Sequence, residues 1–368
     1  MRSLLPEYLR LSTGGTPVGR AVVTSVWGSA PQPEGACLLV NAAGAMAGSV
    51  SGGCVEGATI TEIGQAIGRG TPRLITYGVS HEAAWSVGLA CGGTIKLLVE
   101  PAVRPELVAL LGQRIGAVLA TVLDGGGAGG AVLFVDDGRE PAILKSERTE
   151  KSEKSDIPAG LIGALRPLAD DALARENSRT VELTTPDGPL QVFLEVIPRP
   201  PRLVVFGAVQ IAAELVPMAR RLGFETVVAD GRESFLARER FPDADHLLLQ
   251  WPEAAFATIG LDRATYVCVL SHDPKFDEPA LRLALRSPAR YIGAIGSKKT
   301  QAQRREWLLS EGFSETDLAR LHSPIGLPLG GRRPAETALA ILAEMVTVRY
   351  GGKALKDSLA VAGGREVA

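Results

Sequence analysis

The segment Pro198-Arg-Pro-Pro-Arg202 constrains this chain more than any other. Consecutive prolines fix φ and remove backbone donors, so the segment favours an extended spacer and forbids a helix or a central strand. It divides the 368 residues into two stretches, each long enough for its own core. Beyond it, Leu203 to Phe206, Glu225 to Ala229, Tyr266 to Leu270 and Tyr291 to Ile295 read as strands, Ile211 to Leu222 reads as a helix, and further helical segments lie between. Strands alternating with helices predict a Rossmann-like, doubly wound parallel sheet.

Before the break, apolar runs at Ala21 to Val26, Cys37 to Asn41, Leu74 to Tyr77, Thr94 to Val99 and Ala117 to Leu123 read as strands, with helices at Cys54 to Ile67 and Pro105 to Gly112. A helix from Gly160 to Glu176 and a hairpin from Thr180 to Glu195 across a Pro-Asp-Gly turn complete an α/β domain with a mixed sheet. The expected organisation is therefore a first domain over residues 1–197, a Rossmann-like domain over 198–352 and a flexible tail over 353–368. Residues 145–157 are so charged and so poor in apolar side chains that they predict a mobile surface insert.

A net charge of −2 leaves no electrostatic footprint for nucleic acid or an anionic membrane, which points to small ligands or proteins as partners. The first residues lack the apolar core of a secretory leader, and no stretch approaches the roughly 20 apolar residues of a membrane span. A cytoplasmic location is the expectation. Four cysteines in apolar or glycine-rich settings predict reduced thiols rather than a disulfide framework. The four histidines, His81, His246, His272 and His322, show no metal-ligand spacing, which leaves a metal-dependent hydrolase without support.

Two cysteine signatures stand out, Ser51-Gly-Gly-Cys-Val-Glu56 and Ala90-Cys-Gly-Gly-Thr-Ile95. Each sets a thiol, Cys54 or Cys91, beside paired glycines, Gly52 and Gly53 or Gly92 and Gly93, which permit φ > 0 and close approach of a ligand to the backbone. Cys54 reads as the start of a helix, where the dipole favours thiolate, and Cys91 lies where the chain enters a strand. The plainer alternative is an inert buried thiol, and that reading dominates for Cys37 and Cys268, inside apolar strands.

In the second domain the first strand-to-helix turn is Gly207-Ala-Val-Gln-Ile-Ala212, and Asp230 follows at about the 20-residue spacing of an acid that holds a ribose hydroxyl. Val209 stands where a second glycine would let a pyrophosphate approach, so dinucleotide binding competes with a turn that is only structural. Two further loops lie at strand ends, where doubly wound sheets bind ligands. In one, His272 and Asp273 after Ser271 are either an acid/base pair or a capping turn. In the other, Ser297, Lys298 and Lys299 open a helix as an anion site or as a cap with solvated lysines. With Asp230 and Arg232, these residues are expected to converge on an anionic part of a ligand.

The ordered set Gly28-Ser-Ala-Pro31, Gly48-Ser-Val-Ser-Gly-Gly-Cys-Val-Glu56, Cys91-Gly-Gly-Thr-Ile95, Ser271-His-Asp-Pro-Lys275, Ile295-Gly-Ser-Lys-Lys-Thr300, His322-Ser-Pro-Ile-Gly326 and Ala340-Ile-Leu-Ala-Glu344 resembles the xanthine dehydrogenase accessory protein family, XdhC/CoxI. The resemblance spans nearly the whole chain apart from the charged insert and the tail. It implies a cytoplasmic, homodimeric chaperone rather than a catalyst, one that binds the molybdenum cofactor (molybdopterin), assists its sulfuration and inserts it into a molybdenum hydroxylase such as xanthine or carbon monoxide dehydrogenase. A cysteine desulfurase is a further implied partner. Cys54 and Cys91 become candidate contacts to the metal end of that cofactor, whose soft dithiolene suits thiol ligands, and Glu56 belongs to the same signature. Two departures matter. Members often carry Gly-Ala-Gly-His-Val where this chain has Gly207-Ala-Val-Gln-Ile211, and Ala90 replaces a usual glycine. The first weakens the competing reading as an NAD(P)-dependent oxidoreductase.

Overall fold

The computed structural model describes residues 1–28, 31–78, 93–125, 128–144, 159–186 and 188–351. Cys91, Gly92, the insert 145–157 and the tail 353–368 lie outside the described residues. The chain divides into two compact units, Met1–Arg199 and Pro200–Ala368.

The first unit holds two five-stranded sheets. One has β1 (Val18–Trp27) at its centre, flanked by β2 (Cys37–Asn41) with β3 (Met46–Gly48) outside it, and by β5 (Thr94–Glu100) with β4 (Arg73–Tyr77) outside it. The other runs β8 (Ala142–Leu144), β7 (Ala131–Val135), β6 (Ala117–Val122), β10 (Gly188–Ile197), β9 (Arg179–Thr185). The hairpin expected over Thr180 to Glu195 is β9–β10, with Thr185 opposite Gly188. All pairings in both sheets are antiparallel, where a mixed sheet was expected. Apolar runs mark strands without marking direction, and the β1–β2, β6–β7 and β9–β10 links are too short for a crossover.

Strand periodicity explains how the layers assemble. On β1, Ala21 and Val23 point into a core with Ile63 and Ala66 of helix α2 (Glu56–Arg69), whereas Val22 meets Leu98 and Phe193 on the opposite face. Arg20 shares that second face. It is fully buried, its Nε 2.6 Å from Glu100 and its Nη1 2.9 Å from Glu195, one carboxylate from each sheet. Arg104, 3.3 Å from Glu100, balances the second negative charge, as a buried ion group requires. Helix α4 (Ala159–Arg175) covers the outer side of the second sheet through Leu165, Ala169 and Ala172, and α1 (Leu5–Leu11) and α3 (Pro105–Leu111) join a further core cluster.

The second unit is a six-stranded parallel sheet in the order β13 (His246–Leu248), β12 (Glu225–Ala229), β11 (Arg202–Phe206), β14 (Thr265–Val269), β15 (Tyr291–Ala294), β16 (Leu321–His322). This is the Rossmann-like topology, whose strand order reverses between β11 and β14. Leu203 and Val205 pack toward α5 (Gln210–Arg221) and α10 (Pro334–Tyr350). Val204 and Phe206 face the opposite layer of α6 (Pro252–Ile259), α7 (Pro274–Arg286), α8 (Lys298–Ser310) and the short α9 (Glu315–Leu318). Burial on both faces is why these strands read as continuous apolar runs. The edge strands β13 and β16, three and two residues long, are too short to leave a periodic signal. Among the described residues no helix is long and apolar enough to cross a membrane.

Candidate functional site

In the first unit the loop Ser49–Gly53 is wound around one carboxylate. Glu56, the first residue of α2, accepts hydrogen bonds from the backbone N–H groups of Val50, Ser51, Gly52 and Gly53 at 3.2, 2.8, 3.0 and 2.8 Å. It also accepts from the hydroxyls of Ser49 at 2.7 Å and Ser51 at 2.5 Å. Gly52 and Gly53 supply the positive φ values, 81° and 123°, that aim consecutive N–H groups inward. Burial opposes the charge, yet these donors win and pull the Glu56 carboxyl down to about 2. An anion at a helix N-terminus is favourable in itself; here the protein's own side chain fills the nest.

The helix therefore starts at Glu56, with Val55 as its N-cap, so Cys54 is not the helix-opening residue that sequence suggested. The loop needs Ser51 to Gly53 for wrapping Glu56, which pushes helical geometry two residues later. Cys54 is held half-buried at the lip of this loop, against the α2 core. Cys37 and Cys268 are buried, and burial raises both thiols, Cys37 to about 11. Gly93 is buried just before β5.

In the second unit, Gly207 has φ 98°, and a Cβ there would lie 2.7 Å from the backbone nitrogen of Ser271. The two strand ends at the switch point thus touch. Asp230 sits as the fingerprint spacing predicts, but its carboxylate is occupied: it accepts from the Ala208 N–H at 2.9 Å and from Arg232 Nε and Nη2 at 2.9 Å each. Burial works against its charge, but Arg232 and the backbone donors hold Asp230 below the usual range. Arg232 also lies 3.9 Å over the Phe235 ring. Asp273 caps α7 by accepting from Lys275 N at 3.0 Å, and Ser297 caps α8 by accepting from Thr300 N. His272 is exposed with φ 64°, a left-handed conformation costing roughly 1 kcal/mol for a non-glycine residue. Lys299 is exposed in the first turn of α8, of which Lys298 is the first residue.

Ser271 leads to residues that sequence reasoning did not single out. Its hydroxyl donates to Asp277 at 2.5 Å, and Arg304 Nη2 stands 3.3 Å from the other oxygen of that carboxylate. Arg304 also donates to the Ile295 carbonyl and the Ser323 hydroxyl. Burial pushes Asp277 up and Arg304 down. The pair floors a groove of about 220 Å³ between α7, which contributes Asp277 and Glu278, and α8, which contributes Thr300, Gln303, Arg304 and Trp307. The spacing 300, 303, 304, 307 is one helix face, a signal visible only once the helix is assigned. A second, partly buried cluster joins Tyr291, whose hydroxyl donates to Glu344 at 2.6 Å, the Gly326 N–H at 2.9 Å to the same oxygen, and His322 Nδ1 at 3.4 Å from the other. It pins the segment after β16 to α10. Among the described residues no group of three or more His, Cys, Asp or Glu side chains is placed to hold a metal ion.

An antiparallel first unit with a thiol-bearing loop, followed by a Rossmann-like unit whose acid and turn are closed on each other, defines an α/β protein built unlike an ordinary dinucleotide enzyme. Comparisons with known proteins sharpen this. A model described as the XdhC and CoxI family matches residues 11–78, and one described as the XdhC Rossmann domain matches residues 203–345. The chain belongs to the XdhC/CoxI family. It is 27% identical over 331 residues to a probable xanthine dehydrogenase subunit of Bacillus subtilis (strain 168), covering 89% of this chain and 92% of that protein. It is 26% identical over 336 residues to the molybdenum cofactor insertion chaperone PaoD of Escherichia coli (strain K12), covering 90% and 84%. A crystal structure described as a xanthine dehydrogenase from Bacillus halodurans superposes with a TM-score of 0.67 at 25% identity, over 96% of this chain and 97% of the other.

Proposed function

We propose that the protein is a chaperone that binds the molybdenum cofactor, shelters it, assists its sulfuration and passes it to a molybdenum hydroxylase of the xanthine or carbon monoxide dehydrogenase type, without catalysing turnover itself. The relatives named for xanthine dehydrogenase and for molybdenum cofactor insertion support the class. The observation that carries the reading is the Glu56-locked loop, which fixes Cys54 half-buried at its lip.

The donor chemistry fits. A half-buried thiol is a soft ligand for a metal-dithiolene group, and Cys54, with Cys91 of the second signature, would hold that end. When bound, the group supplies the redox-active metal and its sulfur ligands. Glu56 is a positioning residue: its carboxylate is consumed by the loop, so its part is to hold the Cys54 backbone in place. Working as a homodimer in the cytoplasm, with a cysteine desulfurase and the target apoenzyme as partners, completes the proposal. The competing reading as an NAD(P)-dependent oxidoreductase is disfavoured because the Ala208 N–H is donated to Asp230 and the branched Val209 occupies the N-cap position of α5, leaving that turn without the open glycine backbone that cradles a pyrophosphate.

The test is to purify the protein from cells that make molybdopterin and measure molybdenum and released pterin. Cys54→Ala and Cys91→Ala should each lose most bound cofactor, while Cys37→Ala and Cys268→Ser keep it. Equal losses in all four at unchanged melting temperature, or steady NAD(P)H oxidation with a purine or aldehyde, would overturn the reading.

A further inference from the structure

We infer that the groove between α7 and α8 binds a flat heterocycle that presents an amino group beside a ring N–H, the 2-amino-4-oxopyrimidine edge that guanine and pterin share. The inference rests on the groove alone and holds whether or not the first unit carries a cofactor.

Position, size, charge and lining lead to it in turn. The groove opens beside the C-terminal ends of β14 and β15, between the first turn of α7 and the Thr300-to-Trp307 face of α8, the edge where doubly wound sheets bind ligands. Its volume of about 220 Å³ lies below the range of roughly 300–1,000 Å³ that suits drug-sized ligands, so it suits one fused ring system rather than a dinucleotide. On its floor Asp277 and Arg304, 6% and 9% exposed, cancel each other's charge. Arg304 is committed to Asp277, the Ile295 carbonyl and Ser323, so it is not available to clamp a phosphate.

His272 also lines the groove, and with that imidazole counted as neutral the surplus charge is negative. Glu278 lines the groove half-buried and makes no hydrogen bond or ion pair among the described residues. A carboxylate pairs with two parallel N–H donors as it does with a guanidinium fork, which is the geometry an amino group and its neighbouring ring N–H present. Desolvating an unpaired carboxylate is costly, so a ligand lacking those donors is penalised as well as unrewarded. Trp307 and Ile295 give the groove its apolar walls, and an indole favours a planar ring.

The full-length protein is titrated with pterin, with guanosine, with lumazine (the pterin ring carrying oxygen in place of the 2-amino group) and with inorganic phosphate, following heat of binding and tryptophan fluorescence. Pterin or guanosine should bind, lumazine should bind at least about tenfold more weakly than pterin, and phosphate should not compete. Which of the first two binds more tightly identifies the source of the ring. Glu278→Gln should weaken binding about tenfold with an unchanged melting temperature, and Trp307→Leu should weaken it and remove the fluorescence response. Lumazine binding as tightly as pterin, displacement by phosphate, no binding of either ring, or full affinity in both variants would each overturn the inference. Loss of molybdenum from the cysteine variants with ring binding intact would bear on the chaperone reading alone, so failures of the two are distinguishable.

Discussion

Each unit contains a serine hydroxyl 2.5 Å from a carboxylate a few residues downstream at the start of a helix: Ser51 with Glu56 in the first, Ser271 with Asp277 in the second. Both carboxylates are at least nine-tenths buried. Glu56 nonetheless collects four backbone N–H groups and two hydroxyls and falls to about 2, whereas Asp277 has the Ser271 hydroxyl and a guanidinium at 3.3 Å and is pushed up. Desolvation opposes the charge of both carboxylates; the six donors around Glu56 outweigh it, and the fewer donors around Asp277 do not.

The sharpest way to break this comparison is Glu56→Ala. It strands the N–H groups of Val50 to Gly53 around an empty centre, and because buried donors without partners cost on the order of 1–3 kcal/mol each and water will satisfy some, the expected loss is about 3 kcal/mol in urea unfolding. Thiol labelling of Cys54 should quicken as the loop loosens. A loss under about 1 kcal/mol would mean that the loop holds its shape without the carboxylate. Next comes Gly207→Ala, which forces a Cβ to within 2.7 Å of the Ser271 nitrogen at φ 98°. Backbone strain and the forced separation of two strand ends predict a loss of about 2 kcal/mol in the same measurement.

The two units also differ in how far sequence exposes them. The parallel sheet was legible because both faces of β11, β12, β14 and β15 are buried and their apolar runs are uninterrupted. Strand direction in the first unit was not, since antiparallel and mixed sheets share the same alternation. Of the candidate site, the Ser51 to Glu56 signature was visible as a motif, but the inward turn of Glu56 depends on two positive-φ glycines acting together and shifts the helix start past Cys54. Of the groove, the strand-end loop was legible, since sequence alone singles out His272, which lines it, but its lining from α8 was not: Arg304 and Trp307 arrive from a helix 27 and more residues beyond Asp277.

A milder substitution separates conformational from packing effects. Gly53 has φ 123°, but nothing lies within 4 Å of its would-be Cβ, so Gly53→Ala should cost only backbone strain, about 1 kcal/mol. If it destabilised as much as Gly207→Ala, close approach would not be what distinguishes the two turns.

The finest discrimination comes from pH slopes of opposite sign, each no steeper than about 1.4 kcal/mol per pH unit for a single proton. Glu56 titrates near 2 when folded against an ordinary 4.5, so its contribution is fully present above pH 4.5 and is lost as pH falls toward 2. Asp277 is raised above its ordinary 3.8, so its contribution is fully present below pH 3.8 and is lost as pH rises through its folded value. Glu56→Gln should therefore become less destabilising relative to the parent as pH falls from 4.5, and Asp277→Asn less destabilising as pH rises from 3.8. Measuring both differences by denaturant unfolding across that range tests the comparison directly, because both carboxylates have a serine hydroxyl at 2.5 Å and both are desolvated, and the slopes take opposite signs if the donors around Glu56 outweigh that desolvation while those around Asp277 do not. Slopes of the same sign would return the explanation to burial.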